Sequence, residues 1–175
     1  MDTVIHDRYV SRTERQAGMV TREEPVVYNH GRYADALSHE QLDAYQKQGF
    51  LVLDELFDDK EVKQLLAEIT TLSENEKLQG RPEFITEPNS SELRSLFAVH
   101  QFSKRFDELM RDPRVLDVAR QILGSEVYVH QSRVNFKPGF KGKEFYWHSD
   151  FGTWHVEDGM PAMRAVSCSI MLTDN

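Results

Sequence analysis

Apolar residues recur at helical spacing through the middle of the chain and at alternate positions towards its end. Val62, Leu65, Leu66, Ile69 and Leu72 fall on one face of a helix that opens after Asp58, with Glu61 three residues on. Ser38 with Gln41 forms a capping-box pair, and Gly49 stands where a left-handed stop belongs, so a helix is expected between them. A third helix should follow Asp112-Pro113, carry Val115, Leu116, Val118, Ala119 and Ile122, and end at Gly124. Phe50 to Leu53 reads as a short apolar strand, and residues 73 to 90, with Asn, Gly, two Pro and several charges, as a mobile loop. Residues 1 to 37 are charged and weakly periodic, an extended arm that touches the body only in places.

The pattern changes near residue 126. Strand alternation over 127 to 137 places Val127, Val129, Gln131, Arg133, Asn135 and Lys137 on one face and Tyr128, His130, Ser132, Val134 and Phe136 on the other. A face with four polar residues in succession is either solvated or lines a polar cavity. Met163 to Asp174 reads as a further strand. The expected organisation is therefore an arm (1–37), a mainly helical leading part (38–125) and the first strands of a β-core (126–175), an α+β chain without repeats or low-complexity tracts.

Composition narrows the class. At 175 residues with 39% hydrophobic and 10% aromatic content, the chain can bury a core as one domain. A net charge of −8 disfavours nucleic acid and anionic membranes as general partners. The single cysteine, Cys168, excludes an internal disulfide framework and reads as a small core residue among Val166, Ile170 and Leu172. No apolar run reaches transmembrane length, and the polar start lacks a signal-peptide core, so a cytoplasmic location is expected.

Candidate chemistry centres on His148-Ser149-Asp150 within the aromatic run 145 to 155. On a strand, an imidazole and a carboxylate two residues apart point to one side and can supply two ligands of a 2-His-1-carboxylate triad, the non-haem Fe(II) site with open positions. The short motif also arises by chance, with His148 a hydrogen-bonded strand histidine and Asp150 a turn cap. His155 and Glu157 form a second imidazole–carboxylate pair, in a stretch running to a turn at Asp158-Gly159, and a loop holds ligands less rigidly.

The context resembles one family. Val127-Tyr-Val-His-Gln-Ser-Arg-Val-Asn-Phe-Lys-Pro-Gly-Phe140, Gly142-Lys-Glu-Phe-Tyr-Trp-His-Ser-Asp-Phe151 and Thr153-Trp-His-Val-Glu-Asp-Gly-Met-Pro161 are similar to the ectoine hydroxylase branch of the phytanoyl-CoA dioxygenase superfamily. Arg22-Glu-Glu-Pro-Val-Val-Tyr28, Gly49-Phe-Leu-Val-Leu53, Ser91-Glu-Leu-Arg-Ser-Leu-Phe97 and Gln121-Ile-Leu-Gly124 follow in family order, so the resemblance covers nearly the whole chain. It implies a double-stranded β-helix (jelly-roll) core with helices packed outside it, and hydroxylation of ectoine to 5-hydroxyectoine using Fe(II), 2-oxoglutarate and O₂. It implies Fe(II) on His148 and Asp150, ectoine against Gln131, Thr153 and Trp154, and 2-oxoglutarate against Lys137 and Asn135. The chemistry agrees: a Lys ammonium pairs with a carboxylate, a Gln amide offers a donor and an acceptor, and an indole stacks on a cationic amidine.

Two departures stand out. The family usually reads Phe-Glu-Thr-Trp-His after the metal Asp, whereas this chain has Phe151-Gly152-Thr153-Trp154-His155. The second iron His and the 2-oxoglutarate Arg belong to a later half of the fold, so the chain reads as the N-terminal part of an enzyme, inactive alone. A related oxygenase of another small zwitterion and a non-catalytic ligand-binding β-sandwich remain as alternatives, and a homodimer is left open.

Overall fold

The computed structural model describes residues 9, 18–19, 21–29, 31, 33, 36–88, 90–136 and 146–173. Two units emerge: Met1–Pro25 with Phe145–Ala165, and Val26–Glu144 with Val166–Asn175. Lys137 lies outside the described residues.

In the larger unit, α1 (His39–Gln48) starts at Ser38, whose hydroxyl accepts from the Gln41 amide while the Gln41 side chain accepts from the Ser38 amide. It stops at Gly49, with φ +80°. Asp58 and Glu61 make the same reciprocal box at the start of α2 (Asp59–Ser73), which buries Leu65 and Leu72. α5 (Pro113–Leu123) begins with Pro113 and ends at Gly124, φ +59°. The periodicity and capping signals are borne out at these three helices.

Residues 73 to 90 are not a featureless loop. They contain β1 (Phe84–Thr86), which pairs antiparallel with β2 (Leu93–Phe97). Leu78 is buried there, and Arg94 pairs with buried Glu87 at 3.0 Å. Two short helices that the periodicity did not announce, α3 (Val99–Phe102) and α4 (Lys104–Met110), follow. β3 (Arg133–Asn135) completes the sheet in the order β1-β2-β3. One face sets Phe84, Leu96 and Val134 side by side, packed with Leu65, Leu72, Val99 and Phe106 into the core. The opposite face carries Ile85, Ser95 and Asn135 in a row.

Three expectations about strands are corrected. Phe50 to Leu53 pairs with nothing as a ladder: Phe50 and Val52 are exposed, Leu51 and Leu53 half-buried. The strand over 127 to 137 shortens to Arg133–Asn135, and residues 164 to 172 form no strand. Alternation describes an extended backbone, whereas a strand also needs a hydrogen-bonded neighbour. Leu172 still packs on the core, while Cys168 is exposed rather than buried. Among the described residues no helix is long and apolar enough to cross a membrane.

Candidate metal centre

His148-Ser149-Asp150 lies not on a strand but at the start of a helix. Ser149 is the N-cap of α6 (Asp150–Asp158), extended at φ −106° and ψ 117°, and its hydroxyl accepts from the Gly152 amide at 3.2 Å. The local reason is in the sequence: a serine ahead of an aspartate satisfies an orphan amide and puts negative charge in the first turn. Those preferences override the strand-like alternation of the preceding aromatics. Gly159, φ +70°, ends the helix.

The helix start nevertheless brings the expected pair together. His148 Nε2 lies 3.3 Å from Asp150 Oδ1, with both side chains open to solvent. His148 Nδ1 lies 2.7 Å from the Tyr146 carbonyl oxygen. A carbonyl only accepts, so Nδ1 carries the proton and donates, and Nε2, beside the carboxylate, is the ring nitrogen that would ligate a metal. One imidazole nitrogen and one carboxylate oxygen, converging at that distance, fit two adjacent ligands of an Fe(II) site. No group of three metal-ligating side chains occurs among the described residues, so a third ligand is not supplied by them.

The helix also gathers the neighbouring candidates. Asp150, Thr153 and Trp154 stand at positions i, i+3 and i+4 of α6 and so share one face. The Thr153 amide donates to the Ser149 carbonyl at 3.3 Å, and Trp154 is half-buried. His155 and Glu157 lie on α6 too, not in a loop, and residues two apart on a helix diverge. His155 Nδ1 meets the Met160 carbonyl at 2.7 Å, and its ring stacks on Phe151 with centroids 5.6 Å apart. That histidine's Nδ1 is engaged at the C-terminal end of the helix.

In the larger unit, Gln131 and Asn135 are exposed, while Ser132 between them is buried and Val134 packs on the core. The predicted facing of these side chains holds, although the strand is shorter than expected. Asn135 Oδ1 accepts from the hydroxyl of Ser95 at 2.9 Å. Ser132 Oγ is held by His100 Nδ1, and His130 is exposed with its ring edge-on to Tyr128 at 6.3 Å. Ser95 and the Tyr146 carbonyl escaped the sequence reading. A serine hydroxyl and a main-chain oxygen become supports only when the fold brings a polar side chain to them.

The profile of the phytanoyl-CoA dioxygenase family matches residues 45–175. Ectoine dioxygenase of Bordetella bronchiseptica is 59% identical over 169 residues, 97% of this chain and 55% of that protein. Ectoine dioxygenase of Halomonas elongata is 54% identical over 157 residues, 89% of this chain and 47% of that protein. The crystal structure of EctD from S. alaskensis with bound Fe superposes with a TM-score of 0.84 at 46% identity, covering 91% of this chain and 57% of that one. The structure of the same enzyme with 2-oxoglutarate and 5-hydroxyectoine gives the same score, over 91% and 56%. The chain thus spans about half the length of the curated relatives it matches. Its α+β fold is that of the corresponding part of the EctD jelly roll. On the match over residues 45–175 and the identity to these relatives, the chain belongs to the phytanoyl-CoA dioxygenase family.

Proposed function

We propose that this chain is part of an Fe(II)- and 2-oxoglutarate-dependent dioxygenase that hydroxylates ectoine to 5-hydroxyectoine. The observation that carries the proposal is the His148–Asp150 pair at 3.3 Å, with Nδ1 of His148 engaged by a carbonyl and Nε2 left as a donor atom for a metal. It is supported by similarity to proteins named ectoine dioxygenase and to EctD structures described with Fe, 2-oxoglutarate and 5-hydroxyectoine.

His148 and Asp150 would hold Fe(II) by two adjacent positions. Bound iron with 2-oxoglutarate and O₂ supplies the oxidising chemistry, with succinate and CO₂ as co-products. The protein's own residues place one C–H bond of the substrate and keep water away. The indole of Trp154, on the Asp150 face of α6, would stack on the cationic amidine, with Thr153 beside it. Gln131 would offer its amide to ectoine, and Asn135 and Lys137 would bind the carboxylates of 2-oxoglutarate. No general base is required of them. A cytoplasmic enzyme, acting on a free small molecule and with room for a homodimer, completes the proposal.

The test is a coupled assay on the full-length protein bearing this sequence. Ectoine-dependent release of succinate with formation of 5-hydroxyectoine supports the assignment. Succinate release stimulated by a different small zwitterion and not by ectoine moves the substrate elsewhere. Absence of turnover with bound iron points to a binding protein.

A further inference from the structure

We propose that Ser95 is a positioning residue for 2-oxoglutarate, acting through the amide of Asn135; this rests on the assignment of Asn135 to that co-substrate. Ser95 is directly opposite Asn135 in the β2–β3 pair and is only 4% exposed. Both side chains project from the sheet face opposite Phe84, Leu96 and Val134, the one carrying Ile85. A buried hydroxyl is unfavourable unless it is hydrogen-bonded, and here its bond goes to Asn135 Oδ1 at 2.9 Å.

The direction of that bond matters. A primary amide has an accepting end and a donating end of nearly equal size, so a half-turn about its last torsion exchanges them at little steric cost. A carboxylate accepts only and can be met by the NH₂ end alone. With the amide reversed, the Ser95 hydroxyl could only accept from the NH₂ and its own buried hydrogen would lose the acceptor it has in Oδ1, so donation to Oδ1 is favoured and the Asn135 NH₂ is turned away from β2. The backbone on either side is already fixed: Leu96 lies opposite Val134, and the Phe136 amide donates to the Arg94 carbonyl at 2.8 Å. The remaining freedom at Asn135 is therefore in its side chain, and Ser95 biases it towards one orientation.

The experiment is anaerobic calorimetric titration of 2-oxoglutarate into the full-length, Fe(II)-loaded protein, with melting curves and kcat at saturating 2-oxoglutarate recorded alongside. Ser95→Ala should raise the Kd by about threefold to tenfold, the worth of one ordinary hydrogen bond. Ser95→Cys, nearly isosteric with a weak donor, should do the same while preserving the fold, and Ser95→Thr should restore wild-type affinity. The Ser95→Ala/Asn135→Ala pair should bind no more weakly than Asn135→Ala alone, since the hydroxyl acts only through the amide. If Asn135→Ala weakens binding and the Ser95 variants do not, the positioning role is wrong while the proposed activity stands. If Asn135→Ala itself leaves the Kd unchanged, the co-substrate assignment of Asn135 fails and Ser95 with it. If the affinity of the three Ser95 variants follows their melting temperatures rather than their donor strength, Ser95 is a core residue only.

Discussion

The imidazole of His148 and the carboxylate of Asp150 face each other, Nε2 to Oδ1, across 3.3 Å, although the N-cap of a helix separates them in the chain. Convergence that a strand would have given by alternation is achieved here by the turn into α6. The helix then adds what a strand would not, a shared face for Asp150, Thr153 and Trp154.

Asp150→Ala in the full-length protein should abolish retention of Fe(II), because the change leaves neutral donors to hold a dication. Iron content and succinate release, measured on the same preparation, check this. Normal iron with normal turnover would remove Asp150 from the metal site.

Trp154→Ala should weaken ectoine binding far more than 2-oxoglutarate binding, and Trp154→Phe should keep part of the stacking, which is worth about 0.5 to 2 kcal/mol. Lys137→Ala should show the opposite preference. Separate titrations with the two ligands distinguish these outcomes; equal losses at Trp154 would make it a packing residue.

Gly152 and Gly124 should respond in opposite directions to a methyl group. A Cβ at Gly152 would meet Ser149 Cβ and Oγ at 3.5 Å, ordinary contact, and glycine inside a helix costs about 1 kcal/mol relative to alanine. Gly152→Ala should raise the melting temperature. Gly152→Glu should raise it further, since a glutamate three residues after the Ser149 cap completes a capping box. Gly124 has φ +59°, and a Cβ there would come within 2.4 Å of the Tyr28 carbonyl oxygen. Gly124→Ala should destabilise by more than about 1 kcal/mol, read from chemical denaturation.

Leu96 is 1% exposed at the centre of the sheet's core face. Leu96→Ala should cost about 2 to 5 kcal/mol in unfolding free energy, with the larger values if the surrounding side chains do not collapse into the space. A loss under about 1 kcal/mol would mean that this core is loosely packed.

Acid should loosen the contact between the starts of α2 and α5. The Arg114 guanidinium donates to Asp112 and Glu61 at 2.6 Å each and holds both carboxyls below their ordinary values. A depressed folded-state pKa contributes stability that is present above the unfolded value, about pH 4, and is lost as pH falls through the folded one. Melting temperature should therefore decline below about pH 4, and Asp112→Asn should flatten that decline. An unchanged acid slope in the variant would show that Asp112 contributes nothing to it.

The parts of this fold legible in the sequence are those with local physical causes. Ser38 with Gln41 and Asp58 with Glu61 mark helix starts because the groups they satisfy lie within four residues, Pro113 because it has no amide hydrogen to leave orphaned, and Gly124 because it can take the left-handed stop. The strands were less legible because pairing is not local: nothing within Phe84–Thr86 announces Leu93–Phe97 as its neighbour, and nothing within 127 to 132 shows that pairing begins only at Arg133. At the candidate site the residues were legible and their backbone was not. The aromatic alternation before His148 suggested a strand, whereas Ser149 and Asp150 together form a helix cap.

Gln121, 1% exposed, spends both ends of its amide on one residue: Oε1 accepts from the Leu37 amide at 2.6 Å and Nε2 donates to the Leu37 carbonyl at 3.2 Å. A side chain thus does for Leu37 what a neighbouring strand would do, in a segment outside any regular element. The cooperative body accordingly begins before the first helix. In hydrogen–deuterium exchange the Leu37 amide should behave as a core amide, opening only with α5. Any shortened version beginning at Ser38 would strand the Gln121 amide in the interior and lose more than the residues removed.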